Sequence, residues 1–303
     1  MADRSTEIIF HQYDISPFSE KVRVIFGVKG LAWNSVIQPV IMPKPDLTPL
    51  TGGYRRIPVM QIGADIFCDT QVIIAEIAAR AGADLAAGGA WAVNLWADRL
   101  FFQATVPIIF GQIDVPQAFI EDREKLSGRP FDAGAMKAAS EAMKSQWRGE
   151  AAWIDAALAS SDWLGGDRPG LADIAAYMNI WFLRGAVPAI TDELMAGLDR
   201  LKAWRLRVAA IGHGQRVELT PADALEVAKA AEPARYAGHD AADPSGLAPG
   251  AAVTVAADDY GRDPITGTLV AANASRIVIA RKEPALGRLQ VHFPRVGYLL
   301  SAA

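Results

Sequence analysis

Three short stretches within the first 70 residues combine helix starts and a strand-start proline, and the first of them could hold and activate an anion. Ser16-Pro17-Phe18-Ser19 lies where a β-prone run gives way to a helical pattern. A serine there caps the helix, and a proline fits its first position. The same geometry has a chemical use. A helix N-terminus presents free N–H groups and a partial positive charge, and both favour an anion. A serine hydroxyl can donate to that anion as well. About 40 residues on, Arg56-Ile57-Pro58-Val59 places a proline at the start of a strand, and about 11 residues later Asp69-Thr70 opens another helix. Singly, each has an ordinary role: a capped helix, an edge-strand proline, a second cap. Their order and spacing make coincidence a poorer account of all three together.

The elements that must position these residues follow from periodicity. Residues 7–13 read as a short strand and 17–29 as a helix. Residues 35–42 are β-prone and end in Pro43-Lys44-Pro45. Residues 58–62 and 66–68 flank Gly63-Ala64-Asp65, a hairpin signal. Residues 70–80 are helical, with Val72, Ile73, Ala75, Ile77 and Ala78 as the apolar face. Small residues at 82–90 suggest a linker. From 91 to 231 the pattern is helical, in runs at 91–110, 133–160, 171–182, 191–210 and 221–230. A polar connector at 234–250 precedes short-period alternation: Val253/Val255, Ile265/Gly267/Leu269, Ile277/Ile279 and Leu289/Val291/Phe293. Turn signals at Asp258-Asp259-Tyr260-Gly261, Asn273-Ala274-Ser275 and 284–287 separate them. Such spacing predicts a small antiparallel barrel or half-open sheet. The expected fold class is α+β and multidomain: an α/β unit over 1–82, an all-helical unit over 91–231 and a small all-β unit over 248–303.

Composition narrows the function classes. The chain has 303 residues, 51% hydrophobic and 21% charged, with a net charge of −4. That composition is globular and offers no broad basic field for nucleic acid or anionic lipid. From Pro264 onward Arg276, Arg281, Lys282, Arg288 and Arg295 face one acid, Glu283, but no interleaved stacking set accompanies them. Solvated strand faces explain these charges as well as nucleic acid does. The lone Cys68 excludes a disulfide framework within the chain and a Cys-rich zinc site, and the four histidines form no H-x-x-x-H pair. Cys68 reads as a buried, inert thiol. The longest uncharged runs are about 14 residues, short of a bilayer span. With Asp3 and Glu7 near the start and no apolar signal segment, a cytoplasmic protein without a membrane segment or bound metal is expected.

Ser-Pro-Phe-Ser-Glu-Lys-Val-Arg at 16–23, Ile-Pro-Val at 57–59 and Asp-Thr at 69–70 resemble the glutathione transferase superfamily. The β-α-β-β-β-α order is similar to its thioredoxin-like N-terminal half, and the helical stretch to its C-terminal half. Leu171-Ala172-Asp173-Ile174 resembles the family's capping box, with Gly170 where the family has Ser or Thr; Asp173 can still accept from the Gly170 N–H. Residues 235–303 lie outside the family pattern.

The resemblance implies roles. Ser16 would stabilise the glutathione thiolate. Pro58 would be cis, with the Ile57 backbone pairing with the cysteinyl unit. Asp69 and Thr70 would hold the γ-glutamyl end. Arg56 (or Arg55) and Lys44 are candidates for the glycyl carboxylate, against the alternative of solvated surface charges. Tyr13 is a rival to Ser16, because some branches use a tyrosine near this strand end. Ser19 reads as structural. Phe18, Phe101, Phe102, Phe110, Tyr177 and Trp181 are candidates for lining an electrophile pocket, though aromatic stripes at helical spacing are ordinarily core. The implied function is a glutathione transferase acting on a small hydrophobic electrophile, as in detoxification, with glutathione as co-substrate and a homodimer as the assembly. Two other readings stand beside it. One is a catalytically silent binding or scaffold protein whose C-terminal strands make the contact. The other is a glutathione-dependent lyase or isomerase. Serine rather than cysteine at 16 argues against mixed-disulfide chemistry.

Overall fold

The computed structural model describes residues 4–82, 85, 86 and 88–303. Residues 83, 84 and 87 of the expected 82–90 linker, and Asp3, lie outside the described residues. Each N-terminal element starts or stops where the sequence supplies a local signal. Strand β1 (Ile9–Gln12) leads into α1 (Pro17–Lys29), which Ser16 caps and Gly30 ends at φ 60°. Strand β2 (Ala32–Ile37) lies parallel to β1. After the single turn α2 (Thr48–Thr51), β3 (Val59–Ile62) and β4 (Asp65–Cys68) form the expected hairpin about Gly63, at φ 57°. Helix α3 (Thr70–Arg80) follows its Asp69 cap.

The helical half runs α4 (Ala90–Trp96), a π turn (Ala97–Phe101), α5 (Phe102–Phe110), α6 (Gln117–Ser127), α7 (Ala133–Ala157), α8 (Leu171–Ala186), α9 (Pro188–Leu194) and α10 (Asp199–Ala210). Helix α6 does not announce itself in the apolar pattern because most of its surface is polar and only Asp122 and Leu126 are buried. Helix α8 runs through the middle, with eleven buried residues. Asp173 accepts from Gly170 N at 3.1 Å, as the capping-box reading expects. It also accepts from Leu164 N at 2.8 Å and Trp204 Nε1 at 2.7 Å. One side chain thus ties the start of α8 to α10 and to the loop before α8.

The reading of 91–231 as helical throughout needs correction at its end. Gln215–Glu218 is a strand, β5, parallel to β2, and α11 (Pro221–Ala230) packs its Ala224 against Ile9 and Val36 of the sheet. All four β5 residues are exposed, so no alternation marked it. The last 20 residues of that stretch therefore serve the sheet rather than the helical half.

The C-terminal meander is present as β6 (Ala252–Ala257), β7 (Ile265–Ala272), β8 (Arg276–Glu283), β9 (Gly287–Pro294) and β10 (Tyr298–Ala302). Its strands pair antiparallel, with a bulge between Leu269 and Ala271. The periodicity did not show where it docks. Strand β9 pairs in parallel with β4, from Asp65 opposite Gln290 to Phe67 opposite His292. One ten-stranded sheet results, in the order β10-β6-β7-β8-β9-β4-β3-β1-β2-β5. The pairing covers what would otherwise be an open sheet edge at β4.

Side chains of the central strands alternate between two cores, as pleating requires. Phe10, Met60, Ile62 and Phe67 join α1, α3 and the helical half. Val59, Ile66 and Cys68 face the other way, into a core shared with Val253, Val255, Ile277, Ile279, Leu289, Val291 and Phe293. No helix among the described residues is long and apolar enough to cross a membrane.

Candidate active site

The strand registers bring the three sequence signals to one end of the sheet. His11 lies opposite Val59, so the residues just before β3 sit beside the carboxyl end of β1, where α1 begins. Val59 lies opposite Cys68, so Asp69 and Thr70 emerge at the same end. A crevice at strand carboxyl ends is the usual ligand position in such sheets. Strand β9 runs parallel to β4, and β10 returns antiparallel to β6. The β9–β10 turn and the 258–264 turn after β6 therefore open at this end too.

The segment 16–23 is used almost residue by residue. Ser16 is 3% exposed and its Oγ accepts from Ser19 N at 3.2 Å. The hydroxyl proton is not consumed by that bond. Pro17 occupies the first turn. Glu20 accepts from Arg23 Nη2 at 2.7 Å and lies 3.1 Å from His213 Nε2. Burial alone would raise the Glu20 pKa, but the His213 and Arg23 contacts outweigh it and hold it below the ordinary value. Arg23 reaches on to Gln12 and the Asp14 carbonyl. Lys21 is fully buried and donates to Asn94 Oδ1 at 3.0 Å and to Asp98 at 2.7 and 2.8 Å. This pair fastens α1 to the π turn. Burial raises the Asp98 pKa although Lys21 opposes it.

The Ile57-Pro58 peptide is cis, as the resemblance implied. Asp69 has φ 88° and ψ 141°, the one non-glycine positive φ among the described residues. That backbone is strained by roughly 1–3 kcal/mol, a cost that surrounding contacts must offset. Its carboxylate accepts from Gln71 N at 2.9 Å and from the Tyr298 hydroxyl at 3.2 Å.

A cleft between the sheet end and the helical half is lined by Arg56, Ile57, Pro58, Asp69 and Thr70, together with Phe18, Asp98, Arg99 and Phe102. The first five are residues for which the resemblance implies contacts with glutathione. It also named Phe18 and Phe102, whose rings meet edge to face at 5.0 Å. The other aromatic candidates are used elsewhere: Phe101 stacks on Trp96, Phe110 on Phe119, Tyr177 meets Trp204, and Trp181 lies under Arg23. Ser16 caps the helix next to the cleft but is not itself in its wall, and neither is Lys44. Lys44 is buried, bonded to the Pro39 carbonyl and 5.5 Å from the centre of the Tyr13 ring. Burial pushes the Lys44 pKa down to about 8. Arg55 donates to the Asp122 carbonyl at 2.9 Å. Burial raises the Tyr13 pKa, though the nearby Arg123 charge opposes it. Cys68 is fully buried with its pKa pushed well up by burial, the inert thiol expected.

The remaining wall was missed. Asp259, Tyr260, Gly297 and Tyr298 of the C-terminal strands line the same cleft, with Tyr54. Asp259 is ion-paired with Arg56, and the Arg56 guanidinium sits 4.2 Å from the centre of the Tyr260 ring. Arg99 donates to Asp258 at 2.7 Å, and Gln71 Nε2 to the Val296 carbonyl at 3.2 Å. The sequence marked 258–261 only as a turn. Two acids and an aromatic in that turn were the available signal. No cluster of three His, Cys, Asp or Glu residues able to hold a metal occurs among the described residues.

Comparison with known proteins agrees with this geometry. The family profiles described as glutathione S-transferase N-terminal domain and C-terminal domain match residues 10–84 and 137–207. No curated protein matches the chain. A GST-like protein from Pseudomonas syringae is 31% identical over 98% of this chain and all of its own, with a TM-score of 0.82. A glutathione S-transferase from Rhodospirillum rubrum (18% identity, TM-score 0.53) covers 67% of this chain and 88% of its own. A Tau class glutathione S-transferase from mango, Mangifera indica (16%, 0.53), covers 67% and 89%. These two show the fold alone. The chain belongs to the glutathione transferase superfamily. The Pseudomonas protein is similar over nearly the whole length, so the likeness takes in the C-terminal strands.

Proposed function

We propose that the protein is a glutathione-dependent transferase in which Ser16 stabilises the thiolate for attack on a small hydrophobic electrophile. The observation that carries this is the convergence of Ser16, cis-Pro58 and the strained Asp69-Thr70 cap at one end of the sheet. In this reading the Ile57 backbone pairs with the cysteinyl unit, Asp69 accepts from the γ-glutamyl ammonium, and the N-terminus of α3 at Thr70 receives its carboxylate. Arg56 meets the glycyl carboxylate. Lys44 and Arg55, already bonded to backbone carbonyls, are poorly placed to join it. Phe18 and Phe102 offer an apolar surface for the electrophile.

A thiol of pKa near 8.5 is only a few per cent ionised at pH 7, and the thiolate is the nucleophile. Lowering that pKa by about two units takes roughly 2.7 kcal/mol of preferential thiolate stabilisation. A hydroxyl hydrogen bond to a charged group supplies roughly 1.5–3 kcal/mol. The helix end adds roughly 0.3–1 kcal/mol. The thiolate then forms the S–C bond as the electrophile's leaving group departs with the electron pair. Lyase or isomerase chemistry would use the same thiolate, and a substrate panel separates it from transfer. A homodimer, implied by the resemblance, would need a face other than the β4 edge, which β9 covers.

The test is an ultraviolet difference titration of bound glutathione against pH, with wild type and Ser16→Ala. A thiolate band with a depressed midpoint, moving up by about one to two units in the variant, is expected. A depressed midpoint unchanged in the variant would move the role to Tyr13 or to the backbone. Glutathione bound without ionisation would favour the silent binding protein.

A further inference from the structure

The reading above gives Arg56 a ligand carboxylate, yet this arginine already has a carboxylate partner. Asp259 is ion-paired with it from the turn after β6, and the Tyr260 ring covers the guanidinium at 4.2 Å. The Arg56 side chain is only 12% exposed, and its Nε is buried with no hydrogen-bond partner. A buried donor left unpaired is costly and uncommon, and it marks a place where an acceptor would be gained. Nε lies beneath Gly261. A Cβ built on that glycine would come within 3.1 Å of Nε and 2.7 Å of Leu126 Cδ1, and its φ of +59° also favours glycine. The turn therefore leaves no room for a side chain at 261 between Arg56 and Leu126. It is held from the helical half as well. Arg99 donates to Asp258 at 2.7 Å and lies 4.0 Å from Asp259, and Gly261 N donates to the Leu126 carbonyl at 2.7 Å.

We propose that Asp259 is an internal counter-ion standing in the carboxylate subsite of the cleft, and that the 258–261 turn is a specificity-determining latch which a ligand carboxylate must displace to reach Arg56. The inference rests on the assignment of Arg56 to the glycyl carboxylate. A guanidinium is a fork that takes one carboxylate in two-point contact. Here Asp259 holds one tine and Gly261 shields Nε. An incoming carboxylate gains both only by releasing Asp259 and lifting the turn. A ligand without that carboxylate has no means of opening it. The C-terminal strands thereby favour a peptide whose glycyl carboxylate is free over its esterified form, and they set the affinity lower than Arg56 alone would.

The test compares wild type with Asp259→Asn and Asp259→Ser by calorimetric titration with two ligands, glutathione and its glycyl monoethyl ester, which keeps the length but has no carboxylate at that end. Asparagine keeps the size and the oxygen that accepts from Tyr260 N at 2.7 Å, and removes the charge by exchanging the other oxygen for an NH2. Serine is too short to reach Arg56. Asp259→Asn is expected to bind glutathione about fivefold more tightly than wild type, and Asp259→Ser at least as tightly, while the ethyl ester binds all three alike. Unchanged or weaker glutathione binding in both variants would overturn the latch. An equal gain for both ligands would do the same, because it would place the effect outside the carboxylate subsite. Glutathione binding alike to wild type and variants would remove the latch and leave the transferase reading standing. No binding to any of the three would remove that reading and the latch with it.

Discussion

The two parts of the ten-stranded sheet reach the cleft by different means. Strands β1–β4 reach it through helix starts: Ser16 caps α1 and Asp69 caps α3, each bonded to a backbone N–H two or three residues on. Strands β6–β10 reach it through turns and a strand start. Their contacts with the site residues include long-range side-chain pairs: Arg56 with Asp259, 203 residues away, and Asp69 with Tyr298, 229 away. A helix start carries its own N–H groups and dipole into the site, so its geometry is set locally. A turn is aimed by the core beneath it and by distant partners. The first kind of contribution should survive changes in remote packing that the second does not.

The largest effect expected follows from that difference. Phe293 on β9 is fully buried between Tyr54 and Tyr298, with ring centroids at 6.0 and 5.5 Å. Phe293→Ala should cost about 3–5 kcal/mol. Because β9 is paired to β4, the loss should appear as a downward shift of one cooperative unfolding transition in denaturant. A separate early transition, leaving the rest untouched, would mean that the C-terminal strands form an independent unit. Where the protein stays folded, glutathione binding should weaken while the bound thiolate midpoint holds, because Tyr298 loses its support and Ser16 does not.

The same contrast decides what the sequence disclosed. Ser16, Pro58, Asp69, Gly170 and Asp173 each have a local role within a few residues of themselves, and that role was legible as a cap or a strand-start proline. The meander was legible too, since Val253, Ile277, Leu289 and Phe293 keep a period of two. Its docking on β4 was not, because Asp65-Ile66-Phe67-Cys68 reads the same whether its outer edge is open or paired. Tyr298 and Asp259 were illegible as site residues for a related reason. Around Tyr298 nothing indicates a cleft, and the two acids and the tyrosine at 258–260 mark only a turn. Arg56 was read as a ligand contact from resemblance, and its internal partner had no local trace. Strand β5, exposed and four residues long, carried no pattern at all.

Acid should act on both parts, and more strongly on the N-terminal one. His11 of β1 is fully buried, 2.9 Å from Gln61 Oε1 and 3.2 Å from Gln38 Nε2. Burial pushes its pKa down from 6.5 to about 4, with only the Gln61 bond opposing. His292 of β9 is also lowered by burial, but the Asp65 carboxylate at 3.0 Å opposes this. A histidine with a lowered folded pKa binds fewer protons folded than unfolded between the two values. Stability then falls as pH drops through that window. For His11 the window runs from 6.5 to about 4 and is worth about 3 kcal/mol. Denaturant midpoints measured from pH 7 to 4 should fall accordingly, and His11→Gln should flatten the fall. An unaltered slope in that variant would assign the acid sensitivity to the β4–β9 junction instead.

The smallest effect is the most discriminating. The Tyr298 hydroxyl lies 3.2 Å from both the Asp69 carboxylate, to which it donates, and the Tyr54 hydroxyl. Burial drives both tyrosine pKa values well up, so Tyr298 keeps its proton and stays a donor. Tyr298→Phe retains the ring and its packing on Phe293. It leaves the Tyr54 hydroxyl short of a buried partner and Asp69 with one donor fewer, a cost of about 1 kcal/mol. Asp69 holds its strained φ of 88° against that background. Glutathione affinity should therefore fall about fivefold, with the loss lying in the γ-glutamyl end. The thiolate midpoint should stay where Ser16 and the start of α1 set it. A midpoint that rises together with the lost affinity would show that the helix starts also depend on the distant partners, and the contrast between the two parts of the sheet would then fail at the point where they meet.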